Sequence, residues 1–188
     1  MQINEKTLRE IQEKAGKMSD FLRMEYLESA AEKIHEVDVH RFCYLELSRL
    51  YESRKMYSDA IKYVFKYQET LISQEEKNKA MMKEIELLIR GGNYEKADSL
   101  VRKLMEHVKE REKFEVIRRV IEVYKQEAVR FEKENSYSRQ EKVYEKMIPY
   151  MQDPEKTESR RRLLVIYKKL GKIRESFELE KSLERNLV

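Results

Sequence analysis

Apolar residues recur along this chain at intervals of three and four. Between 112 and 134, Ile117, Val120, Ile121, Tyr124, Ala128 and Phe131 fall on a single stripe of a 3.6-residue period. No segment follows the two-residue alternation of a strand, so helices are expected throughout. The breaks come at Gly16, Gly91-Gly92, Gly171 and Asp153-Pro154. Together these signals predict ten helices, near 4–15, 19–37, 39–54, 57–73, 75–91, 94–110, 112–134, 137–151, 155–170 and 173–186. The joining turns are short, which sets sequential neighbours antiparallel. Ser73-Gln74-Glu75-Glu76 predicts a capping box, and Asp153-Pro154 a second helix start with aspartate as cap and proline in the first position. Gly92 and Gly171 predict helix ends closed by a left-handed residue, and Pro149 a bend or stop in its own helix.

The helical pattern repeats. "RKMYSDAIKY" (54–63) and "GGNYEKADSL" (91–100) align on Ala60 and Ala97, 37 residues apart. Each alanine lies three residues after an aromatic, Tyr57 or Tyr94, and nine after a large residue of the preceding helix, Tyr51 or Leu88. Where two antiparallel helices cross closely, a small side chain must face a large one. Two weaker copies follow, one with Tyr124, Ala128, Phe131, Tyr137, Gln140, Tyr144 and Met147, the other with Leu163, Leu164, Tyr167, Gly171, Ile173, Ser176 and Leu183, at spacings of 43 and 36 residues.

This layout resembles the tetratricopeptide repeat, a helix–turn–helix unit stacked in series. The resemblance is clearest in "YLELSRLYESRKMYSDAIKYVFKY" (44–67), where Tyr44, Leu47, Ser48, Tyr51, Tyr57, Ala60, Val64 and Tyr67 fall on the family's consensus positions. The second copy keeps Met81, Leu88, Gly92, Tyr94, Ala97, Val101 and Leu104 but has Glu84 where an apolar residue is usual. Gln140 and Ser176 replace the small alanine later on. The fold implied is all-α, a right-handed α-α superhelix of about five antiparallel helix pairs. Four units (39–74, 75–111, 112–152, 153–188) and a degenerate capping pair over 1–38 are expected to form one domain.

Composition narrows the function. A chain of 188 residues can bury roughly 70% of its unfolded surface. Charged residues are 40% of the total, yet 40 Lys and Arg nearly cancel 36 Asp and Glu. A net charge of +4 is too small to imply a polyanionic partner. The lone Cys43 allows no internal disulfide, and a reducing, cytoplasmic setting is expected. The first residues lack the apolar run of a signal peptide, and "LLVIY" (163–167) is far too short to span a membrane.

Signals for catalysis are poor. His35, His40 and His107 lack metal-binding spacing, Cys43 has no second thiol, and the Gly91-Gly92 pair lacks the lysine and hydroxyl of a phosphate loop. No enzyme activity, metal or cofactor is expected. The resemblance instead implies a protein-binding scaffold, with the first helix of each unit lining a concave groove. The side chains placed there are Phe42, Leu45, Arg49, Met82, Glu86, Ile89, Arg90, Lys125, Val129, Arg161, Val165, Lys168 and Lys169, apolar anchors mixed with charges that suit a peptide or helix segment of another protein. The lysine–asparagine clamp by which some family members grip acidic chaperone tails is not reproduced at Leu45, Arg49, Lys79 and Lys83.

One concentrated charge feature remains, "RRRLLVIYKKLGKIR" (160–174), which holds no acid. Its alternative reading is an RNA-associated strip, although exposed aromatics for base stacking are missing nearby.

Overall fold

Among the described residues, 2–185, of the computed structural model, ten α-helices follow one another: α1 Leu8–Gly16, α2 Asp20–Lys33, α3 Val37–Ser53, α4 Tyr57–Glu69, α5 Gln74–Arg90, α6 Tyr94–His107, α7 Glu110–Lys133, α8 Tyr137–Met147, α9 Glu155–Lys169 and α10 Ile173–Arg185. A 3₁₀ turn, Ile148–Tyr150, ends α8 where Pro149 withholds its amide. Residue 1 and residues 186–188, at the outer limits of the first and last expected units, lie outside the described residues.

Four turns close identically, and they define the repeat. At the end of α3 the amide of Met56 donates to the Tyr51 carbonyl, and that of Lys55 to Glu52. The same two bonds recur as Asn93 to Leu88 with Gly92 to Ile89, as Ser136 to Phe131 with Asn135 to Glu132, and as Lys172 to Tyr167 with Gly171 to Lys168. This paired closure requires a left-handed residue just past the helix. Lys55, Gly92, Asn135 and Gly171 all have it, with φ of 60°, 76°, 53° and 70°. Each is followed two residues later by the large side chain that opens the next helix, Tyr57, Tyr94, Tyr137 or Ile173.

The chain divides into two compact units, Met1–Lys109 and Glu110–Val188. In the first, each helix packs on its sequence neighbours from α1 to α6, and α1 also reaches α3. In the second, α7 packs on α8, α8 on α9 and α9 on α10. Each is thus an all-α, tetratricopeptide-like series of helical hairpins. Ala60 and Ala97 are fully enclosed, and the corresponding Gln140 and Ser176 are buried as well. Ala60 lies in a cluster with Val64 and Leu87, against which Tyr51, Tyr57 and Ile61 pack. Gly91 answers to a close approach: a Cβ there would stand 3.3 Å from the Cβ of Tyr57 and 3.2 Å from the Leu87 carbonyl. The α1–α2 pair shares a core with α3 and α4, through Ile11, Ala15, Tyr26, Leu27 and Ala30 packed with Val39, Cys43, Leu47 and Tyr63.

Three local expectations are corrected. The capping box is at Thr7, not Ser73: Thr7 Oγ1 accepts from the Glu10 amide while the Glu10 carboxylate accepts from the Thr7 amide. The first helix therefore begins at Leu8 rather than near 4. Ser73 occupies the cap position of α5, but its side chain makes no capping bond. At the third site, Pro154 itself caps α9, and Asp153 accepts the Thr157 hydroxyl at 2.5 Å. Helix α4 ends at Glu69, where Thr70 turns its hydroxyl onto the Tyr67 carbonyl and gives its own carbonyl to Arg41.

Glu84, the acid at an apolar consensus position, is half-buried and accepts from the Gln68 amide at 3.1 Å. Burial holds its pKa above the usual carboxylate range, against the opposing pull of Gln68 and Lys103. Two outcomes follow. Replacing Lys55 with glycine removes the left-handed strain on a side-chain-bearing residue and should stabilise the protein by about 1 kcal/mol, raising Tm by roughly 2–4 °C in a thermal melt. Glu84→Gln should stabilise the protein at neutral pH, because the folded state then no longer shelters a charge. The sign is set by the raised pKa: folding favours the protonated carboxyl, so the gain is full above the folded-state pKa, fades as pH falls through it and is gone below about 4, where the carboxyl is neutral in both states. Urea titrations of both variants across pH 3–8 measure it.

Candidate functional site

The charges expected to face a groove are largely consumed within the molecule. In the first unit, Glu52 near the end of α3 receives Lys83 at 2.7 Å and also Arg90, both from α5, and so ties the two first helices together. Arg49 pairs with Glu46 at 2.6 Å. Phe42, Leu45 and Met82 are half-buried. Ile89 is 0% exposed and Glu86 only 6%, so both serve packing rather than a surface. Their placement on the groove wall is corrected: α5 is enclosed by α4 and α6 on more of its circumference than its stripe implied.

The seams also carry phenol–carboxylate bonds. Tyr51 of α3 and Tyr63 of α4 both donate to Glu28 of α2, at 2.8 and 2.6 Å, with their rings stacked 5.4 Å apart. Burial first, then the Glu28 carboxylate, pushes the Tyr51 phenol up to about 12 and raises Tyr63 in the same direction. In the second unit Tyr167 of α9 donates to Glu145 of α8 at 2.8 Å. These phenols are held as donors to carboxylates of their own chain. Cys43 is buried too, which pushes its thiol up to about 12 and keeps it from acting as a nucleophile.

The basic strip is likewise paired. Arg161 and Arg162 meet Glu158, Lys168 meets Glu180 at 2.9 Å, Lys169 donates to the Tyr137 hydroxyl at 2.9 Å, Lys172 meets Glu141 and Arg174 meets Glu178 at 3.0 Å. Lys168 thus reaches α10 and Lys169 reaches α8, so neither points toward α7. Val165 stands exposed between them.

An open site does exist in the second unit. Between α7 and α9 lies a cleft of about 450 Å³, lined by Lys125, Ala128 and Val129 of α7, Tyr144 and Met147 of α8, Pro154, and Glu155, Glu158, Ser159 and Arg162 of α9. Its wall is apolar at Ala128, Val129 and Met147. Lys125 and Glu155 form an ion pair of 3.1 Å from one helix to the other. Arg162 is held by the Tyr144 phenol and by Glu158, and the phenol is the main cause that raises its pKa. Ser159, buried, donates to the Met151 sulfur at 3.2 Å. The geometry suits burial of an apolar side chain beneath a charged rim.

Of the expected groove residues, the structure brings Lys125 and Val129 to this cleft, with Arg161 adjacent to Arg162. Tyr144 and Met147 were expected as repeat positions rather than site residues, and Ser159 and the acidic first turn of α9 were not singled out from the sequence. Their signal was the repeat spacing itself, which places α7 and α9 side by side over α8. Among the described residues, no group of three metal-ligating side chains occurs and no helix is long and apolar enough to cross a membrane.

No family model and no curated protein matches this chain. Among solved structures, it is similar to a protein assigned as a kinesin light chain with nearly identical TPR-like repeats from Podosopora anserina: 14% identity, TM-score 0.44, covering 95% of this chain and 93% of that one. A single-substitution variant of that protein aligns at 13% identity with the same TM-score and coverage. BtubC (BKLC) from P. vanneervenii aligns at 16% identity and TM-score 0.39 over 95% of this chain and 75% of its own.

The tie between α3 and α5 is testable. Glu52→Gln removes the half-buried carboxylate that Lys83 and Arg90 share and should destabilise the protein by about 2 kcal/mol in urea unfolding. A change below about 0.3 kcal/mol would show that solvent already satisfies Lys83 and Arg90.

Proposed function

We propose that the chain is a non-catalytic protein-interaction scaffold, and that the α7–α9 cleft receives a large apolar side chain from a peptide segment of a partner protein. The observation that carries this reading is the cleft itself: about 450 Å³ of open space with Ala128, Val129 and Met147 on its walls and Lys125 and Glu155 at its rim. That volume exceeds what one leucine or phenylalanine side chain fills, and main-chain and polar groups of an extended segment can meet the rim charges. In the corresponding place between α3 and α5 of the first unit, Glu52 binds both Lys83 and Arg90. Binding is therefore assigned to the second unit. A cytoplasmic setting is compatible with the single buried thiol. An RNA-binding reading has no observation in its favour, since the strip 160–174 spends most of its cations on carboxylates of its own chain.

The test is selection of displayed peptides on the wild-type protein, followed by titration of the winners by fluorescence anisotropy. Peptides sharing one large apolar residue should emerge, and Val129→Glu should weaken them at least about tenfold while leaving the circular dichroism unchanged. Equal affinity for wild type and Val129→Glu excludes the cleft.

A further inference from the structure

The α7–α9 cleft is not apolar throughout. Glu155, Ser159 and Arg162 follow one another on α9 at spacings of four and three and so share the face that lines it, as Tyr144 and Met147 do on α8. Two hydroxyls thereby border the cleft, on residues only 7% (Ser159) and 8% (Tyr144) exposed. Neither has the partner that such burial calls for. Ser159 donates at 3.2 Å to the thioether of Met151, a weak acceptor. The Tyr144 oxygen faces Arg162, and because a guanidinium only donates, the phenol accepts there and its own proton goes to no acceptor among the described residues. The carboxylates of the rim are already engaged, Glu155 by Lys125 and Glu158 by Arg161 and Arg162. The polar capacity left over in the cleft is therefore donor capacity.

We infer, on the footing that the cleft receives a partner's side chain as proposed above, that the side chain it selects has an apolar body ending in a hydrogen-bond acceptor, to which Ser159 and Tyr144 donate. Ala128, Val129 and Met147 cover the apolar body. With the acceptor in place, the Ser159 hydroxyl exchanges a sulfur for a stronger acceptor and the Tyr144 hydroxyl gains one. A wholly apolar side chain of the same size would exclude water from both hydroxyls and return nothing, which costs affinity. The resulting preference is the reverse of that in a wholly apolar cleft, where a phenyl ring outbinds a phenol because the phenol gives up its hydration without compensation.

The probes are the N-acetyl amides of phenylalanine, tyrosine and 4-cyanophenylalanine, the last of which carries a tip that accepts a hydrogen bond and cannot donate one. Binding to the intact chain is followed by NMR through the methyl signals of Ala128 and Met147. The tyrosine and 4-cyanophenylalanine amides should each bind at least about threefold more tightly than the phenylalanine amide. Combining Ser159→Ala with Tyr144→Phe should abolish that advantage, while the phenylalanine amide binds the double variant at least as well as wild type, which shows the cleft intact. Val129→Glu should weaken all three. The inference is overturned, and the proposed function left standing, if Val129→Glu weakens the phenylalanine amide but this probe binds wild type as tightly as the other two, or if the double variant keeps the preference. Both fall together if no probe saturates by about 20 mM, or if Val129→Glu leaves all three affinities unchanged.

Discussion

A left-handed residue at each of four hairpin turns, after α3, α5, α7 and α9, is the constraint on which the repeat depends. It lets the last carbonyls of the first helix be satisfied by the two amides that follow, so the chain reverses within three residues. The second helix starts two residues on, and in α4 and α6 the alanine three positions after the opening tyrosine, Ala60 or Ala97, is fully enclosed. Ala60 fits beneath Tyr51 because Lys55 accepts a strained φ of 60°. Gly92 and Gly171 reach the same conformation without strain, and Asn135 at the modest cost its short polar side chain allows.

Charge is arranged around that scaffold, and its arrangement decides which surfaces remain available. A chain with 40% charged residues has many ways to neutralise itself. Carboxylates of one helix meet cations or phenols elsewhere in the same unit: Glu28 with Tyr51 and Tyr63, Glu52 with Lys83 and Arg90, Glu141 with Lys172, Glu145 with Tyr167. These contacts lie in the seams between helices, where partial burial strengthens them relative to surface pairs. Five of the seven cations in the run 160–174 meet carboxylates of their own chain, two of them sharing Glu158. The α7–α9 cleft is one place where pairing and packing leave an opening.

The ten helices and the repeat were legible in the sequence because periodicity, turn glycines and the alanine–aromatic spacing are local and agree with one another. Gly92 and Gly171 announced their turns; Lys55 and Asn135 did not, since nothing in a lysine signals a left-handed backbone, and only the register with Gly92 exposes it. The capping box at Thr7 was missed because Thr7 and Glu10 sit in a charged stretch without an apolar run before them. Groove residues were harder still. Ile89 and Glu86 share a helical face with Met82 and Arg90, and which part of that face is covered depends on the angle at which α4 and α6 approach. The cleft needed the same knowledge, since an opening between two helices is a property of their separation.

Amide hydrogen exchange, resolved residue by residue by NMR, tests the turn geometry most directly. The amides of Met56, Asn93, Ser136 and Lys172, each donating to a carbonyl five residues earlier, should exchange far more slowly than unstructured amides, at rates comparable with the helix interiors beside them. Exchange of these four at unstructured rates while the flanking helices stay protected would contradict the account, because the hairpins would then be held by side-chain packing alone.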